Sequence, residues 1–319
     1  MIFLPANKID ARAEFSQRLM GIEVRMLVDA PASAELNNSV SMAFKEGNRL
    51  NLIFSDWEGH SEISRFSRSS QFGRPFPLSK ELMEVLIFSQ KLADQSMGAF
   101  DVTLGSLSRL WRIARHQKRL PDKAKIQQAL KRSGHEKLLI NEANSSARLT
   151  ARGMVLDLGG VAKGYIADQM LGVMRMNGFP RCLIDAGGDL TIGDPPFSSK
   201  GWRVEVGGIS NSLLPTLQLS NCAVATSGDL EQYLEVEGQR YSHLLNPRTG
   251  LGIVGREQVT IIAENGMLAD ALASTCLVLG KERAKPFLAQ TKYFSMYYLK
   301  HVDTALETEI FELHAREIE

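Results

Sequence analysis

The 319-residue chain reads as an α+β protein of mixed, largely antiparallel sheets with packed helices. Apolar residues recur at helical spacing early in the chain. From Lys137 onward they gather into short runs separated by Gly, Asn and Asp, and only two helical stretches interrupt those runs. This order does not match a regular strand–helix–strand series.

In the first helical region, over 31–54, Leu36, Val40, Ala43, Phe44, Leu50 and Ile53 lie roughly one turn apart, with Gly47 the main breaker; one or two helices are expected. A further helix starts at Ser79, a good N-cap. It carries Leu82, Val85, Leu86, Ser89, Leu92 and Ala93 on one face and ends by Gly98. The basic stretch 112–119 reads as a solvated face. Pro121-Asp122 then opens a third helix that Gly134 stops. Strands are expected over 138–140, 154–158, 182–184, 190–192, 202–206, 223–225 and 259–263, with helices over 163–176 and 268–279 among them. No repeat or low-complexity linker divides the chain, so 1–319 is treated as a single domain.

Thirty-seven Lys plus Arg against 36 Asp plus Glu leave a net charge of +1, so no global field recruits nucleic acid or an anionic membrane. Any anion site must be local. Cys182, Cys222 and Cys276 are far apart, lack metal-ligand spacing and are expected to be buried thiols. Met1-Ile2-Phe3-Leu4-Pro5-Ala6 has no basic leader, and no stretch nears the roughly 18 apolar residues of a membrane helix. The chain as given therefore reads as soluble and cytoplasmic by default.

Five segments could carry chemistry. Leu156-Asp157-Leu158-Gly159-Gly160-Val161-Ala162-Lys163 puts two glycines between a strand end and a helix start. Backbone groups can approach an anion there, with Lys163 adding charge, although a tight turn explains the pattern equally well. Asp185-Ala186-Gly187-Gly188-Asp189 fits a hairpin turn. Ala225-Thr226-Ser227-Gly228-Asp229 offers hydroxyls for phosphate oxygens, or simply turn chemistry. His243, between a strand-like segment and Asn246-Pro247, is the histidine best placed to face a cleft and move a proton, though a lone His is often structural. Asp270 and Ser274 stand at i and i+4 on one helix face, giving two hard oxygen ligands suited to Mg²⁺, or a helix cap and its neighbour.

Their order is more specific than any one of them. GAFDVT, LDLGGVAKGY, DAGGDL, ATSGD, SHLLNPRTG and ADALAST followed by LG resemble the ApbE family, co-linearly, over about 20–280. The resemblance implies two intimately joined lobes around a FAD cleft and a FAD:protein FMN transferase. Such an enzyme moves FMN from FAD onto a Thr or Ser hydroxyl of an acceptor flavoprotein and releases AMP, with Mg²⁺ on the pyrophosphate. By position it assigns metal contacts to Asp270, Ser274 and the Gly160 carbonyl. FAD contacts fall on Met20, Trp57, Ala99, Phe100, Asp101, Asp157, Lys163 and His243, and His243 and Asp270 are the catalytic candidates. It also implies acceptors among subunits of membrane redox complexes and a periplasmic or membrane-anchored location. The family usually has Thr where Ser274 stands and Asp where Asn246 stands.

Overall fold

The computed structural model describes residues 12–69, 73–207, 214–228, 233–291, 293, 295–302 and 307–314, with backbone alone for 301–302 and 307–314. Strands, not helices, open it. β1 (Arg12–Leu19) and β2 (Ile22–Asp29) pair antiparallel across Met20-Gly21, whose φ angles are 56° and 77°. Two positive φ values make the hairpin turn that matches strand twist, and here a methionine occupies a position that Asn or Gly usually fills. The expectation of helices first and strands later is thereby corrected, and β2 shows why: IEVRMLVD alternates with the period of a half-buried strand.

α1 (Ala34–Phe54) is one helix, its start capped by Ser33, whose Oγ accepts the Leu36 N–H at 3.1 Å. Gly47 does not break it; a Cβ there would lie 2.6 Å from Leu19 and 2.9 Å from Met170, so glycine serves close packing. α2 (Glu62–Ser69) and β3 (Phe76–Pro77) follow, then α3 (Lys80–Gln95), with Ser79 capping as expected. The basic stretch belongs to α4 (Gly105–Gln117), and Asp122 caps α5 (Lys123–Arg132). β4 (Leu138–Asn141) and β5 (Ser146–Leu149) come next.

The strand expected over 154–158 is not formed beyond one isolated bridge between Leu104 and Val155. Met154, Leu156 and Leu158 are buried in alternation, but the backbone donors go elsewhere: Leu156 N–H to Ser67 Oγ at 3.1 Å and Asp157 N–H to Val102 O at 2.8 Å.

Beyond it lie α6 (Ala162–Met176), β6 (Cys182–Ala186), β7 (Asp189–Ile192), β8 (Trp202–Glu205), β9 (Thr216–Leu219) and β10 (Cys222–Gly228). β11 (Tyr233–Val236), β12 (Gln239–Leu245), β13 (Gly252–Val254), β14 (Arg256–Ala263), α7 (Gly266–Leu279), α8 (Lys281–Leu288), β15 (Ser295–Val302) and β16 (Glu307–His314) complete the described chain. Eight strands form an antiparallel sheet in the order β1-β2-β6-β7-β10-β14-β15-β16.

Because successive strand residues point to opposite faces, the sheet feeds two cores. Ile184, Ala223, Ala225, Val259 and Ile261 join the large core with α1, α3, α6 and α7. Leu183, Val224 and Ile262 join a second with Trp202 and Val204 of β8. A third core packs Leu107 and Trp111 of α4 and Ile126 of α5 against Leu234 and Leu245 of β11 and β12. There Trp111 Nε1 donates to Gly250 O at 2.8 Å, fixing the turn that follows His243. All three cysteines are buried and free, as expected. Among the described residues no helix is long and apolar enough to cross a membrane.

Candidate active site

Burying Leu158 and Val161 forces the chain from the irregular 154–158 segment sharply into α6. Asp157 shapes the turn: its Oδ1 accepts the Gly159 N–H at 2.9 Å. No side chain of the cap residue Val161 bonds the start of α6; the Ala162 N–H turns back to Leu158 O at 2.9 Å, which leaves the next N–H groups of the first turn for what lies opposite. Opposite lies Asp270 on α7, 4% exposed, whose Oδ2 is 3.4 Å from the Gly164 N–H.

Lys163 joins the two helices. Its Nζ stands 3.0 Å from both oxygens of Asp270, 3.1 Å from Asp189 Oδ2 at the start of β7 and 3.2 Å from Gly159 O. Burial opposes the ammonium charge, but the two carboxylates outweigh it and hold Lys163 above the usual lysine range. Burial likewise pushes the Asp270 carboxyl up, against the pull of Lys163. Asp189 is also held from the far side, its Oδ1 accepting the Thr226 N–H at 3.1 Å.

Ser274, one turn after Asp270, shares a hydrogen bond of 3.0 Å with Ser227 Oγ of β10. Gly160 faces it: a Cβ added there would lie 3.3 Å from Ser274 Oγ and 3.7 Å from the Phe100 ring. Gly160 thus lies beside Ser274, which stands one turn after Asp270 on α7. Asp270, Ser274 and the Gly160 carbonyl are all hard oxygen donors, and the ammonium already lodged among carboxylate and carbonyl oxygens shows that the pocket accepts positive charge; Mg²⁺ fits this set. Among the described residues no three His, Cys, Asp or Glu side chains could hold a metal by themselves, so a bound Mg²⁺ would need hydroxyl, backbone and ligand oxygens as well.

A second cluster borders the first through Asp157. Its Oδ2 accepts from Arg112 Nη2 at 3.1 Å, while Arg112 Nη1 binds Asp56 Oδ2 at 2.5 Å and the guanidinium lies 4.2 Å from the Trp57 ring centre. Arg112 is 21% exposed, so the reading of 112–119 as a plain solvated face is corrected at this position. Trp57 is 74% exposed and offers a ring on which a flat heterocycle can stack. Burial and the facing Asp157 push the Asp56 carboxyl up, and Arg112 opposes them.

The remaining expected residues are more dispersed. Asp101 is engaged locally, its Oδ1 accepting from Thr103 N–H at 2.8 Å and Thr103 Oγ1 at 2.6 Å, which shapes the loop holding half-buried Ala99 and buried Phe100. Met20 sits at the β1–β2 turn, partly buried against the large core. His243 is half-buried on β12, a strand that packs against α7. Asn246 Oδ1 accepts from the Arg248 and Thr249 N–H groups at 2.9 and 3.3 Å, doing what an aspartate would do in that turn. Asp229 lies outside the described residues.

Sequence reasoning missed Asp189 and Arg112 as site residues. The glycine pair preceding Asp189 was a usable signal; Arg112 gave none, because its partners are 45 and 56 positions away.

Fold and site together define an α+β protein in which two carboxylates, hydroxyls and a lysine ammonium gather at a helix N-terminus, a setting suited to a phosphate-bearing ligand. The chain belongs to the ApbE family, whose model matches residues 20–297. A protein of Klebsiella pneumoniae (strain 342) named FAD:protein FMN transferase is 28% identical over 294 residues, covering 88% of this chain and 82% of the relative. One of the same name from Escherichia coli (strain K12) is 28% identical, covering 81% and 75%. The crystal structure of the ApbE protein from Thermotoga maritima superposes with a TM-score of 0.79 at 27% identity, covering 91% of this chain and 94% of that one. The flavin transferase ApbE from Vibrio cholerae, at 23% identity and a TM-score of 0.84, covers 95% and 97% and shares the fold.

Proposed function

We propose that this chain is a FAD:protein FMN transferase that uses Mg²⁺ to move FMN from FAD to a Thr or Ser hydroxyl of an acceptor protein. The observation that carries the reading is the packing of Lys163, Asp270 and Asp189 beside Gly160 and Ser274 at the start of α6. Fixed charges at a helix N-terminus suit a pyrophosphate with its cation.

Asp270, Ser274 and the Gly160 carbonyl would hold Mg²⁺, which when bound neutralises pyrophosphate charge. Lys163 supplies a further positive charge beside the phosphates, and Trp57 stacks on a ring of the dinucleotide. The acceptor hydroxyl oxygen attacks the FMN-side phosphorus, the bond to the AMP oxygen breaks and AMP leaves. FMN remains as a phosphoester on the acceptor, and His243 takes the hydroxyl proton. The family names of the relatives support the same assignment.

The test is to incubate the purified protein with FAD and Mg²⁺, with and without a threonine-bearing acceptor peptide. Mass spectrometry should find AMP and a peptide heavier by FMN. AMP with free FMN in both tubes would replace transfer by hydrolysis, and unchanged FAD would leave only a binding protein.

A further inference from the structure

Asp168 lies on α6 beyond Lys163 and takes no part in the carboxylate–ammonium cluster. Its Oδ1 accepts the Gly266 N–H at 2.7 Å and its Oδ2 the Met267 N–H at 2.9 Å. These are first-turn donors of α7 with no acceptor inside their own helix. Asn265 Oδ1 takes another, from Leu268, at 2.9 Å. The start of α7 is therefore capped partly by its own N-cap and partly by a side chain from the middle of a different helix.

One turn further along α7 the partnership reverses. There Asp270 receives the Gly164 N–H and the Lys163 ammonium from α6. Two rungs thus join the helices, and the space between them is closed. A Cβ on Gly164 would collide with the Gly266 carbonyl, and one on Gly266 would lie 2.6 Å from Thr191 Oγ1, 2.7 Å from Gly164 O and 3.0 Å from Asp168 Oδ1. Gly160 and Lys163 ride on the start of α6, Asp270 and Ser274 on α7. Any slip of one helix against the other separates the donors of the site.

We propose that Asp168 is a positioning residue: by tying the first turn of α7 to α6 it fixes Asp270 and Ser274 in register with Lys163 and Gly160. Carboxylate-to-amide hydrogen bonds are of the strong, charge-assisted kind, and two of them set both the position and the rotation of a helix end. The inference rests on the reading of Asp270 and Ser274 as metal ligands.

Asp168→Asn tests it, because the amide keeps the shape but turns an NH₂ group toward one of the two N–H donors. In the full-length variant, deuterium exchange at residues 265–269 should be at least about tenfold faster than in wild type, while β10 and β14 amides are unchanged. By calorimetry Mg²⁺ should bind at least about tenfold more weakly, FAD binding without metal should stay within about threefold, and AMP release at saturating Mg²⁺ should recover to near wild type. If Asp168→Asn does not fold, Gly266→Ala wedges the same joint and should move exchange and Mg²⁺ affinity the same way. Unchanged exchange, or faster exchange with unchanged Mg²⁺ affinity, would overturn the proposal. A wild type that binds Mg²⁺ but releases no AMP would defeat the functional reading alone, since exchange and calorimetry still decide the role of Asp168.

Discussion

The Lys163 ammonium lies 3.0 Å from each carboxylate oxygen of Asp270, a residue 107 positions away. Each is then the nearest opposite charge to the other in a site that also holds Asp189. Asp270→Ala removes the charge opposite Lys163 but leaves the Asp189 pair at 3.1 Å, so the fold should survive. Metal-dependent AMP release should fall by at least about a hundredfold, as when one preorganised charge-stabilising group is lost. Wild-type release by a folded variant would remove Asp270 from the site.

Gly160→Val should cut FAD binding, read by quenching of flavin fluorescence, by at least about tenfold. The reason is crowding rather than backbone strain: Gly160 is not among the residues with positive φ, and its Cβ would already stand 3.3 Å from Ser274 Oγ. Full binding by the folded variant would make this loop a plain turn.

Arg112→Ala would leave Asp56 and Asp157 facing each other without their shared cation and would remove the guanidinium that lies over one face of the exposed Trp57 ring. Asp157 also holds Gly159, so the disturbance reaches the loop at the start of α6. FAD affinity should drop several-fold, with the loss reduced when Asp56 is changed to Asn in the same chain. Independent, additive effects of the two changes would argue against the coupling.

If His243 is the proton acceptor, His243→Ala should bind FAD and Mg²⁺ within a few-fold of wild type yet transfer FMN about a hundred times more slowly or worse. Unchanged saturated turnover with a raised FAD requirement would make His243 a cofactor contact only.

Burial pushes the Asp168 carboxyl up to about 6, with the Met267 and Gly266 N–H groups and the Arg175 charge pulling it down. Glu84, Tyr165, Arg175 and Glu264 line the same cavity of about 440 Å³. Since an unfolded aspartate titrates near about 3.9, the folded state binds more protons between the two values. This group's contribution to stability is therefore fully present below about pH 4 and is lost as pH rises through about 6, by at most about 3 kcal/mol. Measured by urea unfolding, the difference between wild type and Asp168→Asn should shift in the variant's favour from pH 4 to pH 7. A constant difference would refute the shift.

Local chemistry made much of this legible. Ser79 and Asp122 announce their helices because capping is a matter of a few neighbouring residues, and the Gly159-Gly160 turn with Lys163 stands where the pattern put it. Segment 154–158 misled because alternating burial does not say whether a neighbouring strand will be there to take its amides; here a serine and a loop carbonyl take them. Arg112 and Asp168 were invisible for a related reason. Each acts on groups far along the chain, and nothing around an isolated arginine or a mid-helix aspartate states which distant backbone will arrive beside it.

The Lys163 cage has a consequence for ligand capture. Two carboxylates brought this close would ordinarily repel and take up a proton, leaving a site that must be recharged before it can grip a cation. With an ammonium between them, part of that repulsion is offset when the chain folds, although burial and Asp189 still push the Asp270 carboxyl up. A ligand reaching this site would meet charged groups already oriented, the two carboxylates mostly buried and the lysine side chain 29% exposed. Docking of a cation there would exchange one positive partner for another, and because the ammonium is partly exposed, salt can screen the first step.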